Sequence, residues 1–304
     1  MTKLKVTVPA TSANLGPGFD SLGMALAFYD EYELETINSG LEIVITGEGS
    51  KSAAKDESNL IFKAIKHVFD SVGEKLPGIK LTCKNSIPHG RGMGSSGAAV
   101  AGGVMLAAGL LSHKNFSEQH LLEFATKMEG HPDNVAPALF GRLTIGWVDE
   151  AGPHHKKLTV HRGISPLVLV APNEMSTKLA RSLQPESVPH TDAVFNVSRS
   201  ALLVAALTQS PELMMAATED RLHQNYRASA MPETSKLISE LREKGHPAVV
   251  SGAGPSVLVL EGDPQNRLVA MDYVKKHFSA WQALALAVDF KGASLEGQSG
   301  SGSL

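Results

Sequence analysis

The sequence predicts an α+β protein of two domains, and three observations carry that expectation. Runs with strand alternation or β-branched content open the chain. Segments with apolar residues at helical spacing follow and intermix with further strands. The patterning then breaks around Gly152 and Pro153, before fresh strand material begins. Length agrees, because 304 residues suffice for two ordinary domains.

The elements can be justified in order. LKVTVPA, EYELETI and LEIVITGEG read as strands. Leu60, Ile61, Ala64, Ile65, Val68 and Phe69 define a helix over Asn59 to Val72, with Gly73 where a C-terminal cap belongs. GIKLTCKNSIP is a strand stopped by Pro88, and a glycine-serine loop leads from it into an apolar helix from Ala98 to Leu111. Leu121, Phe124, Ala125 and Met128 share one face of a helix that begins near Ser117 and stops at Gly130. The polar run GPHHKKL reads as a connector, and the boundary is placed just after it, giving domains over 1–158 and 159–291. Beyond it come a strand in ISPLVLVAP, a helix over Asp192 to Leu207, short helices from Pro211 to Tyr226 and a helix from Glu233 to Lys244. AVVSGAGPSVLVLE is strand material around a small-residue turn, Leu268 to His277 a helix, and Leu284 to Asp289 a last strand. The Ser/Gly-rich stretch over 292–304 reads as a flexible tail.

Composition narrows the function classes. With 28 basic against 31 acidic residues the net charge is -3, so no basic field is available to hold nucleic acid. The apolar run from Ala98 to Leu111 is shorter than the roughly 20 residues of a spanning helix, so no membrane association is expected. The amino terminus lacks the apolar core of a secretory signal, and the single cysteine, Cys83, fits a reducing cytoplasm as a small buried hydrophobe. The twelve histidines form no spaced ligand set, and no structural zinc is expected.

The strongest local signal is Ile87-Pro-His-Gly-Arg-Gly-Met-Gly-Ser-Ser-Gly-Ala-Ala. Glycines let a backbone close on phosphate oxygens, free amides at a helix amino terminus point at them, and the macrodipole adds about half a positive charge. Gly92, Gly94 and Gly97 also satisfy a dinucleotide-binding spacing, but Pro88 and His89 separate them from the strand, and the nearest acid, Glu118, opens a helix. No Gly-Lys-Ser/Thr occurs, so phosphate charge must be met by amides, Arg91 and a metal. PATSANLGPGFDSLGMAL from Pro9 and SGAGPS from Ser251 add two more small-residue turns.

Together these three segments resemble the ordered motifs of the GHMP kinases, small-molecule kinases named for galactose, homoserine, mevalonate and phosphomevalonate. The resemblance is closest to the homoserine-phosphorylating branch, which carries Asn-Leu-Gly-Pro-Gly-Phe-Asp in its first motif. HPDNVAPALFG from His131 and STKLARSLQPESVPHTDAVFN from Ser176 extend the similarity, which runs from about Lys5 to about Phe290. Met93 stands where Leu is usual and Gly97 where Ala is usual, and neither change removes a polar group.

The resemblance implies a two-domain fold with a left-handed βαβ unit in the N-terminal domain and a ferredoxin-like C-terminal domain. It implies transfer of the terminal phosphoryl of ATP to the side-chain hydroxyl of L-homoserine, a step of threonine biosynthesis, in a cytoplasmic homodimer. By the same resemblance the loop of Pro88, His89, Gly90, Arg91, Gly92, Met93, Gly94, Ser95 and Ser96 wraps the triphosphate, and Ser96 and Glu129 hold Mg2+. Glu129 also stands out physically, because a carboxylate in the last turn of a helix opposes the dipole and calls for compensation. Asn14, Asp20 and Asn134 would take the ammonium and hydroxyl end of the acceptor, Arg181 and Arg227 its carboxylate, with His131 beside them. Asn59 reads equally as an adenine contact and as a helix cap. No general base is assigned. A loose transition state gains little from early deprotonation, and Asp20, the nearest carboxylate, is a poor base if it pairs with an ammonium. The segment from Arg181 to Thr191, with Pro185 and Pro189, is expected to form a lid over the acceptor.

Overall fold

The structure is a computed structural model and describes residues 2–298. Strands β1 (Lys3–Ala13), β2 (Leu22–Ile37), β3 (Leu41–Gly47), β4 (Gly78–Asn85), β5 (Leu143–Asp149) and β6 (Gly152–Leu158) belong to one sheet. Its helices are α1 (Leu60–Ser71), α2 (Ser95–Leu110), α3 (Glu118–Glu129) and α4 (Pro132–Phe140). The second half holds strands β7 (Ser165–Val170), β8 (Ala248–Val250), β9 (Val257–Glu261) and β10 (Gln282–Ala285). With them come helices α5 (Thr177–Ser182), α6 (His190–Thr208), α7 (Met214–Ala217), α8 (Gln224–Arg227), α9 (Pro232–Glu243) and α10 (Pro264–His277).

Strand β2 organises the first sheet. Its beginning pairs with β5 through Leu22–Met24, and its far half pairs with β4 through Glu31–Ile37. It runs antiparallel to β1 along almost its whole length, with a register shift between Pro9 and Ala10. Strands β3 and β4, the one parallel pair among the described residues, flank α1 in a βαβ unit. The second sheet has the order β10-β7-β9-β8 with every pair antiparallel. Taken with α9 and α10 as crossovers, that is the ferredoxin-like arrangement.

The helix α2 lies at the centre because nearly every side it presents is small and apolar. Val100, Ala101, Val104, Leu106 and Ala107 are buried, and α2 packs on both α1 and β1. Helix α1 contributes Ile65, Val68 and Phe69 to the same core. Truncating Ile65 to alanine there would cost about 2–5 kcal/mol. This core continues into the second half through Leu203, Leu207, Val249 and Leu258.

Three expectations change. GPHHKKL is strand β6, not a connector, and pairs with β5 from Leu143↔Leu158 to Asp149↔Gly152. As an outer strand with polar side chains on both faces it shows no alternation in sequence. The final strand near Leu284 stops at Ala285, after which the chain crosses to the first sheet, where Ala27 donates to the Ala287 carbonyl and Leu26 bridges Val288. The segment expected as a tail then forms strand β11 (Ser294–Gln298) against β1, with Leu295 half-buried. Residues 299–304 of that expected tail lie outside the described residues. Among the described residues no helix is long and apolar enough to cross a membrane.

Candidate active site

The three small-residue turns, far apart in sequence, are hydrogen-bonded into one junction. Ser251 Oγ donates to the Gly92 carbonyl at 2.6 Å and lies 2.9 Å from Ser12 Oγ. The Thr11 amide donates to the Met93 carbonyl at 3.1 Å, and the Gly252 amide to the Ala13 carbonyl at 3.1 Å. Glycine is required at the crossing. Gly92 has φ +70°, and a Cβ there would lie 2.1 Å from the Ser251 carbonyl oxygen, while one on Gly94 (φ +72°) would lie 1.9 Å from Thr11 Oγ1.

This junction delivers the amino terminus of α2. Gly94 is its N-cap and no side chain caps it, in contrast to α1, capped by Asn59, and α3, capped by Ser117. The first amides of α2 are therefore free of side-chain partners and face a cavity of about 210 Å³ that Gly90, Gly92, Ser95, Ser96, Glu129 and Asn134 help line. A second cavity of about 350 Å³, lined by Asn59, Leu60, Ile45, His89, Ser95 and Ser96 among others, lies on the far side of the two serines. Ser95 and Ser96 thus stand where two cavities meet, one walled by apolar residues of α1 and β3, the other by backbone amides and polar groups.

Ser96 is exposed and its hydroxyl donates to Glu129 Oε1, the last residue of α3. The cap position of α2 belongs to Gly94, so the Ser96 hydroxyl is not engaged in capping the helix. Asn59 accepts from the amides of Ile61 and Phe62 at 3.0 and 3.3 Å and donates to the Ala54 carbonyl at 2.8 Å. Of its two readings, the helix cap is thus formed, and the same side chain lines the larger cavity. Buried Asp30 and Cys83 also line it. Burial raises the Asp30 carboxyl despite the amides of Ser86 and Ile87 and the Tyr32 hydroxyl, and burial with Asp30 nearby pushes the Cys83 thiol up to about 12.

Arg91 behaves differently from the expectation that it meets phosphate charge. Its guanidinium lies 3.9 Å from both Glu48 and Glu174, donates to the Pro172 carbonyl at 3.3 Å, and lines neither cavity. Pro88 and Met93 are buried, and Met93 acts through its carbonyl. His89 lines the larger cavity and Gly90 the smaller.

Beyond Glu129 the polar side chains cluster. Asp20, His131 and Asp133 have ligand atoms within 4.8 Å of one another. His131 Nδ1 is hydrogen-bonded to Asp133 Oδ1. Burial opposes its charge, but the bond to Asp133 and that carboxylate's charge prevail and hold the imidazole above its ordinary value. Arg181, on α5, pairs with Asp20. Asn134 accepts from Thr11 Oγ1 at 3.1 Å.

Asn14 and Arg227 sit deeper than expected. Asn14 is buried, donates to the Gly252 carbonyl at 2.8 Å and accepts from the Asp20 amide at 3.0 Å, so its amide shapes the turn that presents Asp20. That turn contains Asn14, Leu15 and Asp20 at φ 70°, 50° and 51°, a left-handed run that these bonds hold in place. Arg227 is 2% exposed, donates to the Ala180 carbonyl at 3.3 Å, and lies over the Phe19 ring at 5.2 Å. Burial lowers its pKa, while Asp20 and Asp220 act the other way. The segment expected as a lid is partly helical. Arg181 belongs to α5, Pro189 is the N-cap of α6, and the connector spans 183–189.

Sequence reasoning missed Thr11, Asp133 and His223. Asp133 and Thr11 lie inside motifs already singled out. His223 had one signal, its spacing of four residues from Arg227 across α8.

A glycine-wrapped helix terminus thus lies between two cavities in a two-sheet α+β frame, an arrangement that suits a small-molecule kinase of the kind the sequence resembles. The family model "GHMP kinases N terminal domain" matches residues 59–142 and "GHMP kinases C terminal" residues 198–280. Homoserine kinase of Leifsonia xyli subsp. xyli is 64% identical over 293 residues, covering 95% of this chain and 91% of that protein. Homoserine kinase of Clavibacter michiganensis subsp. michiganensis is 60% identical, covering 97% and 94%. The crystal structure of homoserine kinase from Cytophaga hutchinsonii superposes with a TM-score of 0.87 at 28% identity, covering 97% of each chain. The chain belongs to the GHMP kinases, and within them to the homoserine kinase family.

Proposed function

We propose that the protein transfers the terminal phosphoryl group of ATP to the side-chain hydroxyl of L-homoserine, giving O-phospho-L-homoserine. The observation that carries this reading is the meeting of the two cavities at Ser95 and Ser96. A nucleotide base seated in the larger cavity sends its phosphates across the free amides of α2 toward the smaller one, where the polar cluster waits. In a loose transition state the protein mainly aligns two oxygens and neutralises charge.

The acceptor end suits a zwitterion. Homoserine brings one ammonium and one carboxylate, and Asp20 and Arg181 offer one partner for each. On binding, their mutual ion pair is exchanged for two pairs to the ligand, leaving no charge unpaired. His131, held above its ordinary value, and Asn134 complete the polar wall. Arg227 supports the carboxylate side from behind. We assign no general base.

The hydroxyl of Ser96 and the carboxylate of Glu129, already in contact, form an oxygen donor set that fits Mg2+. Bound there, the ion would neutralise charge on the phosphate oxygens. Two domains meeting at residues 158/159 and a cytoplasmic homodimer are part of the same proposal, and light scattering on the purified chain checks the dimer.

The test is ADP release from ATP and Mg2+ with L-homoserine, L-threonine, L-serine, mevalonate and galactose in parallel. Turnover selective for homoserine is expected. Turnover with another alcohol alone would sink the acceptor assignment, and none with any acceptor would sink the kinase reading.

A further inference from the structure

His223 is fully buried and touches three parts of the acceptor-side architecture at once. Its Nε2 lies 2.8 Å from the Gly16 carbonyl, in the turn that ends at Asp20. Its Nδ1 lies 3.3 Å from Arg227 NH1. Its ring stacks on Phe19 with centroids 4.9 Å apart and planes 17° apart, and Phe19 carries the Arg227 guanidinium on its face.

These neighbours specify one protonation state. A carbonyl oxygen only accepts, so Nε2 must carry the hydrogen. A guanidinium only donates, so Nδ1 must present its lone pair. Imidazolium would turn an N–H against the N–H of Arg227. Asp220 Oδ2, 3.7 Å from Nε2, pulls the other way, but its oxygens accept from the amides of Leu222, His223 and Gln224. Burial then lowers the His223 pKa, with Asp220 opposing and Arg227 reinforcing. Arg227 is otherwise held by the Ala180 carbonyl at 3.3 Å, the Gly252 carbonyl at 3.5 Å and, with the Gln184 amide in its hydrogen-bonding orientation, the Gln184 side-chain oxygen at 2.8 Å from Nε. None of these belongs to the Gly16–Asp20 turn, which among the described residues only His223 joins to the guanidinium edge.

We infer that His223 is a positioning residue for acceptor recognition. As the neutral Nε2–H tautomer it ties the Arg227 guanidinium to the Gly16–Asp20 turn, fixing the spacing between the group that supports the carboxylate and the group that takes the ammonium. Fully buried, it lines neither of the two cavities. The inference rests on the proposed acceptor assignment.

The probe is 3-aminopropan-1-ol, which is homoserine without its carboxylate, used as an alternative acceptor or, at slow turnover, as a competitive inhibitor. In His223→Phe, which keeps a ring and removes both nitrogens, the preference for homoserine over 3-aminopropan-1-ol should fall roughly tenfold, or about 1.4 kcal/mol. The fall should come through the homoserine KM, with the ATP KM and the behaviour of the amino alcohol unchanged. His223→Gln, which restores a donor and an acceptor, should recover part of the preference. An unchanged preference in folded His223→Phe, or equal losses for both acceptors, overturns the inference. A second measurement needs no variant. The side-chain 15N shifts of His223 in the parent protein should report a neutral Nε2–H tautomer between about pH 6 and 8, and an imidazolium or Nδ1–H tautomer would overturn it. Failure of the parent to phosphorylate homoserine counts against the proposed function instead, and the tautomer measurement judges His223 separately.

Discussion

Arg181 and Asp20, 161 residues apart in sequence, form a two-pronged ion pair, with Arg181 NH2 3.0 Å from one carboxylate oxygen and NH1 3.3 Å from the other. Their side chains remain 41% and 36% exposed, so the pair contributes only about 0–1 kcal/mol to stability. Its geometry therefore matters for what it can receive. Arg181→Ala should shift the melting temperature by no more than about 4 °C. It should raise the homoserine KM about tenfold or more, with the ATP KM unchanged. A large melting shift without a KM effect would make the pair structural.

Glu129 is bonded to Ser96 at the boundary of the two cavities. Glu129→Gln keeps the shape and a hydrogen-bond acceptor but removes the charge. Turnover should fall about 10²–10³-fold, the scale of losing one electrostatic stabiliser, and the Mg2+ concentration for half-maximal rate should rise. A steady-state titration of Mg2+ checks both, and an unchanged half-maximal concentration removes Glu129 from the metal site.

Gly92 and Gly73 separate two reasons for glycine. Both have φ +70°, yet a Cβ on Gly73 meets nothing within 4 Å, whereas one on Gly92 strikes the Ser251 carbonyl. Gly73→Ala should cost about 1–2 kcal/mol from backbone strain alone. Gly92→Ala should cost more than that and abolish ATP binding, because the junction of the three turns must open. Urea unfolding and nucleotide titration of the two variants check the contrast, and equal costs would contradict it.

The His131 imidazole is held above its ordinary value despite burial. Protonation therefore favours the folded state. The contribution is fully present below the unfolded value of about 6.5 and is lost as pH rises through the higher folded value. Asp133 and Asp20 support the charge, while Arg181 opposes it. The stability gap between the parent and His131→Gln should be widest near about pH 5.5 and narrow on the alkaline side. Thermal melts across that range check it, and a gap that widens with pH reverses the assignment.

Much of the site could be read before its geometry was known, because each small-residue turn is locally conspicuous. Their convergence was not legible, since Ser251 and Gly92 are 159 residues apart and nothing local in either segment names the other. Arg91 illustrates the same limit. Its place in the loop followed from sequence, but the attraction of Glu48 and Glu174 arises from chain segments folded against it. Helices α1 and α3 were legible to within a residue because a cap, an apolar face and a terminal glycine agree. Strands β6 and β11 were not, because outer strands with polar faces carry no period-two signal.

The late return of the chain to its first sheet has a consequence for how the molecule is made. Strand β1, which carries the first small-residue turn at its end, is flanked by β2 and by β11, and the contacts of Ala27 and Leu26 wait for residues 287 and 288. A ribosome therefore releases the N-terminal half with one side of β1 open. The first sheet closes only after the second has been synthesised, so a truncated chain carries the glycine-serine loop without the strand that completes the sheet beneath it.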